Sequence, residues 1–400
     1  MIIELIIALI VGILCGTITG ISPGIHINLV SALLVSSLPY FQQFSLISLS
    51  IFIVSMSITH TFIDFIPSIF LGAPEEDNFL SILPGHKLLL EGRGHEAFLL
   101  TLKGSLFAIP LILILSIPFI YLLPIFYSSI KEFIPFLLIF LSIYIIFRED
   151  NFFISFTIFV LSGILGLLTF NLPVEQPLLP LLSGLFGLSS LVISIKTSSN
   201  PLPQRIYLLK EAKLSKREYF KSSLSSFIFA PLCSFLPGIG SGHAATMASE
   251  FTEQNPKQFL FSLGIINTIV MGLSYVTVYS INKARTGTAA GVKELLKTIS
   301  SNDLTIILIS IILSGIFAFI IALFLSRLFA KFMNKINYKT LNYIIISILL
   351  IVNIFLTNSL GLLVLLTSSC LGIFAVLSNS RRINLMACLI LPSITYYLLN

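Results

Sequence analysis

Long apolar runs separated by short polar segments dominate the pattern along the chain. The runs lie near residues 2–20, 44–71, 98–127, 131–147, 152–170, 178–195, 222–236, 258–281, 303–330, 340–357, 359–378 and 383–399. A helix needs about 20 apolar residues to cross a bilayer. The run 98–127 contains Pro110, Pro118 and Pro124, which predict a kinked or split helix there. The pattern predicts an all-α polytopic membrane protein with about 10–12 transmembrane helices.

The composition supports a location inside the membrane. Of the 400 residues, 56% are hydrophobic and only 10% are charged, whereas soluble domains carry about 25% charged residues. The first apolar run has no basic segment before it and carries Glu4, so it predicts a first membrane helix rather than a cleaved signal peptide. We therefore expect a multi-pass protein of the cell membrane that contacts lipids, and no nucleic acid as partner.

One polar segment, residues 196–221, divides the chain. It contains seven basic residues and two acidic ones: Lys196, Arg205, Lys210, Lys213, Lys216, Arg217 and Lys221 against Glu211 and Glu218. Basic residues between apolar runs are typical of cytoplasmic loops. The segment predicts a cytoplasmic linker between two transmembrane halves, residues 1–195 and 222–400.

The two halves share a motif that breaks a helix. Pro23-Gly24-Ile25 and Pro237-Gly238-Ile239 each follow an apolar run and precede a small, moderately polar stretch. Further on, residues 57–61 in the first half match residues 264–268 in the second, and both lead into a polar loop. This order predicts an inverted repeat with broken or re-entrant helices, which is the best sequence indication of a transporter binding site.

The breaks are suited to binding an anion. Proline has no N–H and disfavours helix at the preceding residue, so backbone N–H groups are left without helical partners. A helix that restarts after the break directs its partly positive N-terminus at the gap. The candidate substrate-binding residues at the two breaks are Ser22, Pro23, Gly24, His26 and Asn28, with Pro237, Gly238, Gly240, Ser241 and His243.

Ionisable residues inside apolar runs are candidates for ion or proton coupling. His60 precedes Asp64 by four residues, which places both on one helical face. The pair can relay a proton, or it can be a structural pair that holds two helices together. The acidic loop Glu75, Glu76 and Asp77 can bind a coupling cation, cap the helix that follows, or simply be solvated.

The second half has a basic counterpart to this loop. The segments 283–297 and 327–339 each carry four basic residues, yet one apolar run separates them. Because one crossing cannot leave both ends in the cytoplasm, either that run is re-entrant or one cluster is not a topology signal. We expect Lys283 and Arg285 to line a cavity, with Arg285 binding an anionic substrate; a plain basic loop is the alternative.

These segments resemble the TctA family, the large membrane subunit of the tripartite tricarboxylate transporters. The similar stretches are residues 16–25, residues 72–75 continuing through 84–86, 91–94 and 103–105, and residues 236–240. The resemblance implies secondary uptake of carboxylates such as citrate, driven by a proton or sodium gradient. It also implies a small membrane subunit and a binding protein as partners; a homo-oligomer is the alternative assembly.

Other functions stay open at this point. Polyprenyl-phosphate translocases also carry paired Pro-Gly breaks, and a lipid phosphate suits helix N-termini and Arg285 equally well. An intramembrane enzyme needs a nucleophile with a base, or a metal trio, and the sequence offers only His60 with Asp64. We therefore expect no enzyme activity, no metal and no cofactor apart from the coupling ion.

Overall fold

Helices joined by short turns make up nearly all of the protein. The computed structural model describes residues 2–22, 27–71, 82–149, 151–174, 176–197, 202–236, 240–333, 335 and 338–399, and these residues contain no strand. The helices before residue 200 are α1 Ile2–Ile21, α2 Ile27–Ser36, α3 Leu46–Ile63, α4 Ile82–Leu90, α5 Gly94–Ile130, α6 Ile134–Phe147, α7 Phe152–Asn171, α8 Leu178–Leu182 and α9 Ser189–Thr197. The later helices are α10 Lys216–Phe235, α11 Ser241–Thr252, α12 Pro256–Ile281, α13 Gly287–Leu296, α14 Ser301–Met333, α15 Tyr338–Leu356, α16 Ser359–Leu377 and α17 Ala387–Leu399.

The helix lengths confirm the predicted class of protein. Within the described ranges, seven helices are long and apolar enough to cross a membrane: α1, α3, α5, α7, α12, α14 and α16. Shorter apolar helices fall between them. The protein is therefore an all-α, multi-pass membrane protein, as the hydropathy pattern predicts.

Two long helices differ from the expectations. Helix α5 continues for 37 residues through Pro110, Pro118 and Pro124, so the prediction of a split is wrong. Each proline removes one backbone hydrogen bond, but hydrocarbon offers no other partners to the groups that a full break would release, so the helix continues. Helix α14 is likewise a single helix of 33 residues and not a re-entrant run. If α14 crosses the membrane once, one of the two basic clusters that flank it does not lie in the cytoplasm.

Helix α12 lies at the centre of the protein. In its most apolar window 94% of the residues are buried, against 28% for the peripheral α1. It packs against α3, α5, α10 and α11. Glycines allow α12 to approach α5 closely. Gly104 packs against the carbonyl of Phe261 and Gly264 packs against the carbonyl of Thr101, and a side chain at either position would collide with that carbonyl. Small residues of this kind are what bring membrane helices into backbone contact.

An ion-pair network joins the first turns of α5 and α12. Glu96 accepts from Arg93 Nε at 2.8 Å and from Lys257 Nζ at 2.6 Å. Its side chain is nearly buried, whereas the two basic side chains are about one-third exposed. The network therefore places the starts of α5 and α12 at the same edge of the bundle, and the two helices run in parallel.

After each Pro-Gly-Ile motif the chain returns to the start of the helix that precedes the motif. Glu4, in the first turn of α1, accepts a hydrogen bond at 2.6 Å from the backbone N–H of Ser45, the N-cap of α3. Glu218, in the first turn of α10, accepts one at 2.7 Å from the side chain of Asn255, the N-cap of α12. In both halves, therefore, the segment containing the Pro-Gly-Ile motif begins and ends at the same height along the helix bundle.

The basic linker is fixed to the bundle. Gln204 donates to the carbonyl of Leu89 at 2.8 Å and accepts from the N–H of Gly94 at 2.9 Å, which ties the linker across the turn between α4 and α5. Gly92 has a φ of 75° in this turn and lies against the carbonyl of Pro203. A side chain at residue 92 would be strained and would push the linker away.

The glycine contact between α5 and α12 leads to a stability prediction. In Gly264→Val the new side chain would overlap the Thr101 carbonyl, so we expect a loss of about 1–3 kcal/mol in the free energy of unfolding. The measurement is thermal unfolding in detergent. Ile117→Val, on the exposed face of α5, is the control and should leave the melting temperature unchanged. Equal melting temperatures for both variants would contradict the close packing described here.

Candidate functional site

Helix α3 carries polar side chains through the middle of the bundle. Ser57, His60, Thr61 and Asp64 are all at most 2% exposed. His60 Nδ1 lies 3.1 Å from Thr19 Oγ1 of α1, and Asp64 Oδ2 accepts from Asn267 Nδ2 of α12 at 3.1 Å. The predicted pair therefore links α3 to two different helices. The proposed role of His60 and Asp64 in ion coupling stays a prediction.

Helices α3 and α12 run antiparallel along this polar strip. Ser57 Oγ lies 2.5 Å from the hydroxyl of Tyr275, and Thr61 Oγ1 lies 3.3 Å from Thr268 Oγ1. Asn267, Thr268 and Tyr275 were not among the predicted site residues. The signal that identifies them is their occurrence as polar residues within the apolar run of α12. Asn267 and Thr268 also lie in the stretch 264–268 that matches residues 57–61 of α3.

The first turn of α2, which follows the first Pro-Gly-Ile motif, lies beside the start of α13. Ser22 directly follows α1, and its N–H donates to the carbonyl of Ile18; α2 begins at Ile27. Asn28, in the first turn of α2, accepts a hydrogen bond at 3.2 Å from the N–H of Thr288, in the first turn of α13. The N-terminal turns of α2 and α13 therefore touch, and their partial positive charges lie close together.

The basic residues before α13 differ in their exposure. Lys283 is exposed, whereas Arg285 is partly buried and lies just before Thr286, the N-cap of α13. Thr286 Oγ1 accepts from the N–H of Ala289 at 3.1 Å, which fixes the start of the helix. The structure thus brings Asn28 and the Arg285 segment to one place, although they belong to different halves of the chain.

The second break is described from Gly240 onward. Ser241 is buried and starts α11, and Gly240 accepts from the N–H of Ala244 at 3.3 Å. The backbone of His243 belongs to α11, but its side chain lies outside the described atoms. The remaining predicted residues also lie outside the described residues: Pro23, Gly24, His26, Glu75, Glu76, Asp77, Pro237 and Gly238.

A buried basic residue, Arg382, was missed by the sequence reasoning. It opens the 3₁₀ turn Arg382–Met386 between α16 and α17 and is 6% exposed. Its Nη1 donates to the carbonyl of Phe186 at 3.0 Å and to Ser190 Oγ at 2.5 Å. Phe186 belongs to the π-helical turn Ser183–Leu188. In the sequence, Arg382 looks like an ordinary loop residue between two apolar runs.

Burial and the nearby charge of Arg382 change the pKa of His86. Burial, and then the positive charge of Arg382, lower the pKa of His86 to about 4. Burial also lowers the pKa of Arg382 to about 10, so Arg382 keeps its charge at neutral pH. His86 on α4 is therefore neutral in the folded protein.

The shifted pKa of His86 predicts acid sensitivity. Between pH 6.5 and about 4, the unfolded chain binds a proton at residue 86 that the folded chain does not bind. The free energy of unfolding therefore falls as the pH is lowered through this window. We expect His86→Gln to lose less stability than the wild-type protein in thermal unfolding across these pH values. Above pH 6.5 the difference between the two proteins should be constant; curves that stay parallel down to pH 4 would contradict the assignment.

Two comparisons with known proteins found a match. The model of the tripartite tricarboxylate transporter TctA family matches residues 6–387. An uncharacterized protein of Methanocaldococcus jannaschii is 35% identical over 391 residues, which cover 94% of this chain and 94% of that protein. No solved structure matches the chain. The family match extends over nearly the whole chain and confirms the resemblance found in the sequence, and we conclude that the chain belongs to the tripartite tricarboxylate transporter TctA family.

Proposed function

We propose that the protein is a secondary active transporter that takes up a small organic anion of the di- or tricarboxylate type, driven by an ion gradient. The contact between Asn28 and Thr288 carries this proposal, because it joins two helix N-termini beside the first break. Exposed N–H groups and aligned dipoles at such termini bind carboxylates. Arg285 directly precedes Thr286, the N-cap of α13, and would add a full positive charge near this helix N-terminus.

Family membership supports the general type of function. The family consists of components of tripartite tricarboxylate transporters, so we propose a small membrane subunit and a binding protein as partners of this chain. No observation favours the lipid-phosphate translocase or an intramembrane enzyme.

We further propose that the two halves form an inverted repeat around the site. Glu4 precedes Pro23 by nineteen residues, and Glu218 precedes Pro237 by nineteen. Each glutamate binds the N-cap of the second α-helix after its Pro-Gly-Ile motif, α3 in the first half and α12 in the second. Gly166 of α7 lies on the carbonyl of Cys388, and Gly372 of α16 lies on the carbonyl of Leu185. In both cases a helix of one half packs on the last helical segment of the other half.

The central contact agrees with such a repeat. Thr61 and Thr268 occupy matching positions in the sequence repeat, and their hydroxyls lie 3.3 Å apart. Equivalent residues that contact each other are expected at a two-fold axis. The axis would pass between α3 and α12, so the site would lie where the two halves meet.

For ion coupling we propose Asp64 and His60. They are the ionisable residues of the polar strip of α3, and each is buried against a neighbouring helix. A proton or a sodium ion is the expected coupling ion. The acidic residues Glu75, Glu76 and Asp77 stay candidates for the same role.

Transport in proteoliposomes tests the proposal. Purified protein, alone and with the small subunit and binding protein if they can be identified, is reconstituted, and uptake of labelled citrate and succinate is measured under an inward proton or sodium gradient. We expect gradient-dependent uptake of at least one acid. Absence of uptake of either acid in every combination would overturn the proposal.

Asn28→Asp separates a binding role from a structural role. The added negative charge complements the two helix N-termini, so stability should be unchanged or higher. The same charge opposes a bound carboxylate, so we expect KM for uptake to rise about tenfold or more. The measurements are KM in proteoliposomes and thermal unfolding of the same preparations.

Asn151→Asp is the matched control for this variant. Asn151 is exposed and caps α7 by accepting from the N–H of Ile154 at 3.2 Å, so the same substitution is made at another helix N-terminus. Its KM should equal that of the wild-type protein. An unchanged KM in Asn28→Asp would remove the first break from the binding site.

A further inference from the structure

A cavity of about 500 Å³ lies beside the end of α14. In the described part of the chain it is lined by Leu328, Phe329, Lys331, Phe332 and Lys335. Its volume is within the range of sites that bind small molecules. Three of these residues are apolar and two are basic, so the cavity combines an apolar wall with positive charge.

The apolar wall joins the helix bundle to the surrounding lipid. Phe329 is partly buried, and its ring centroid lies 6.4 Å from that of Phe70, in the π-helical turn Pro67–Leu71 that follows α3. Leu328 and Phe332 are 45% and 57% exposed. Exposed apolar side chains on a crossing helix face lipid tails, which are as apolar as they are. The cavity is therefore held by the bundle on one side and accessible from the bilayer on the other.

The end of α14 lies at the same edge of the bundle as the basic linker. His95, in the first turn of α5, accepts from the N–H of Tyr207 in the linker at 3.0 Å through Nδ1. Its Nε2 lies 3.4 Å from Ser326 Oγ of α14. Because a linker with seven basic and two acidic residues is expected in the cytoplasm, the end of α14 is expected at the cytoplasmic edge.

Helix α14 is long enough to carry its last turn beyond the hydrocarbon. Its 33 residues span about 50 Å, against about 30 Å for the hydrocarbon and about 40–45 Å for the whole bilayer. The helix starts in a polar turn, where the N–H of Ser300 donates to Asp303 at 3.0 Å. Lys331 lies in the last turn, and the N–H of Lys335 donates to the carbonyl of Phe332 just after it. The two lysines of the cavity therefore fall at the level of the lipid headgroups.

The chain concentrates positive charge at this level. The basic residues of segment 327–339 are all exposed: Arg327, Lys331, Lys335 and Lys339. Residues 304–400 contain no acidic residue, so this part of the sequence has a net positive charge throughout. Basic segments close to the cytoplasmic surface of a membrane attract anionic lipids, and basic pockets beside membrane helices bind their headgroups.

We propose that this cavity binds one anionic phospholipid of the membrane, with its phosphate at Lys331 and Lys335 and an acyl chain along Leu328, Phe329 and Phe332. Charge complementarity and the apolar wall together identify the occupant. A free anion would use the lysines and not the wall, and a neutral lipid would use the wall and not the lysines. The lipid is a fixed component of the folded protein and not a transported molecule, so the inference goes beyond the proposed function and does not rest on it.

Lipid titration tests the inference. Delipidated protein in detergent is titrated with phosphatidylglycerol or with phosphatidylcholine of the same acyl chains, and bound lipids are counted by native mass spectrometry. We expect one phosphatidylglycerol to bind at least tenfold more tightly than phosphatidylcholine, and more weakly as the salt concentration rises. In a variant with both Lys331→Gln and Lys335→Gln, Kd for this lipid should rise at least tenfold.

Two matched controls separate a site from diffuse surface charge or general apolarity. Lys216→Gln with Arg217→Gln removes two exposed positive charges at the start of α10 and should keep the wild-type Kd. Phe332→Ala shortens the apolar wall and should raise Kd several-fold. Phe324→Ala, on the same helix, removes a phenylalanine that is 63% exposed and not among the lining residues, and it should leave Kd unchanged. Equal effects within both pairs would make the inference wrong.

Other occupants give different outcomes. If inorganic phosphate displaces phosphatidylglycerol at millimolar concentration, the site takes a free anion and the inference is overturned. If the double lysine variant changes the number of copies in light scattering but not Kd for the lipid, the surface is an interface between copies and the inference is again overturned. Thermal unfolding confirms that each variant is folded, and the single lysine variants replace the double variant if it is not. None of these measurements involves carboxylate uptake, so a failure here leaves the proposed function untouched, and absence of uptake leaves the lipid site untouched.

Discussion

The need to satisfy backbone hydrogen bonds away from water governs this structure. In hydrocarbon an N–H or carbonyl without a partner is very costly, so lipid-exposed segments must be helical. Helix α5 illustrates this, because it continues through three prolines on a largely lipid-exposed path. Helix α1 ends at Ile21 and α10 at Phe235, and the α2 and α11 helices that follow pack in part on other helices. Helix ends of this kind inside a bilayer need cover from the rest of the protein.

The enclosure comes from the exchange of contacts between the two halves. Helix α5 of the first half packs on α12, and α14 of the second half packs on α3. The contact of α2 with α13 has the same character, because Asn28 and Thr288 belong to different halves. We infer that neither half can form a complete binding site alone.

The sequence was a good guide to the fold and a partial guide to the site. Hydropathy predicted the class and most helices, since bilayer thickness fixes the length of a crossing helix. It could not predict that α5 is continuous, because proline signals a break in water more strongly than in hydrocarbon. The repeat motif indicated the region around Asn28. It could not indicate that α13 would meet α2, because that contact depends on the packing of long helices. Arg382 was missed because burial of a single loop residue leaves no trace in a local pattern.

The chemistry of the buried polar strip limits how ion coupling can work. Between α3 and α12 most polar groups are hydroxyls, and they bind one another without carrying charge, as Ser57 does with Tyr275 and Thr61 with Thr268. These neutral groups make the strip polar at a low electrostatic cost. Asp64 and His60 are the exceptions, and each is bound to a different neighbouring helix. A cation or proton that reached Asp64 would alter its bond to α12, whereas protonation of His60 would alter its bond to α1. Helix α1 ends just before the first Pro-Gly-Ile motif, so a change at His60 would act on a helix next to the proposed anion site. Helix α12 is joined to the second motif through α11, so a change at Asp64 would reach that motif through one further helix.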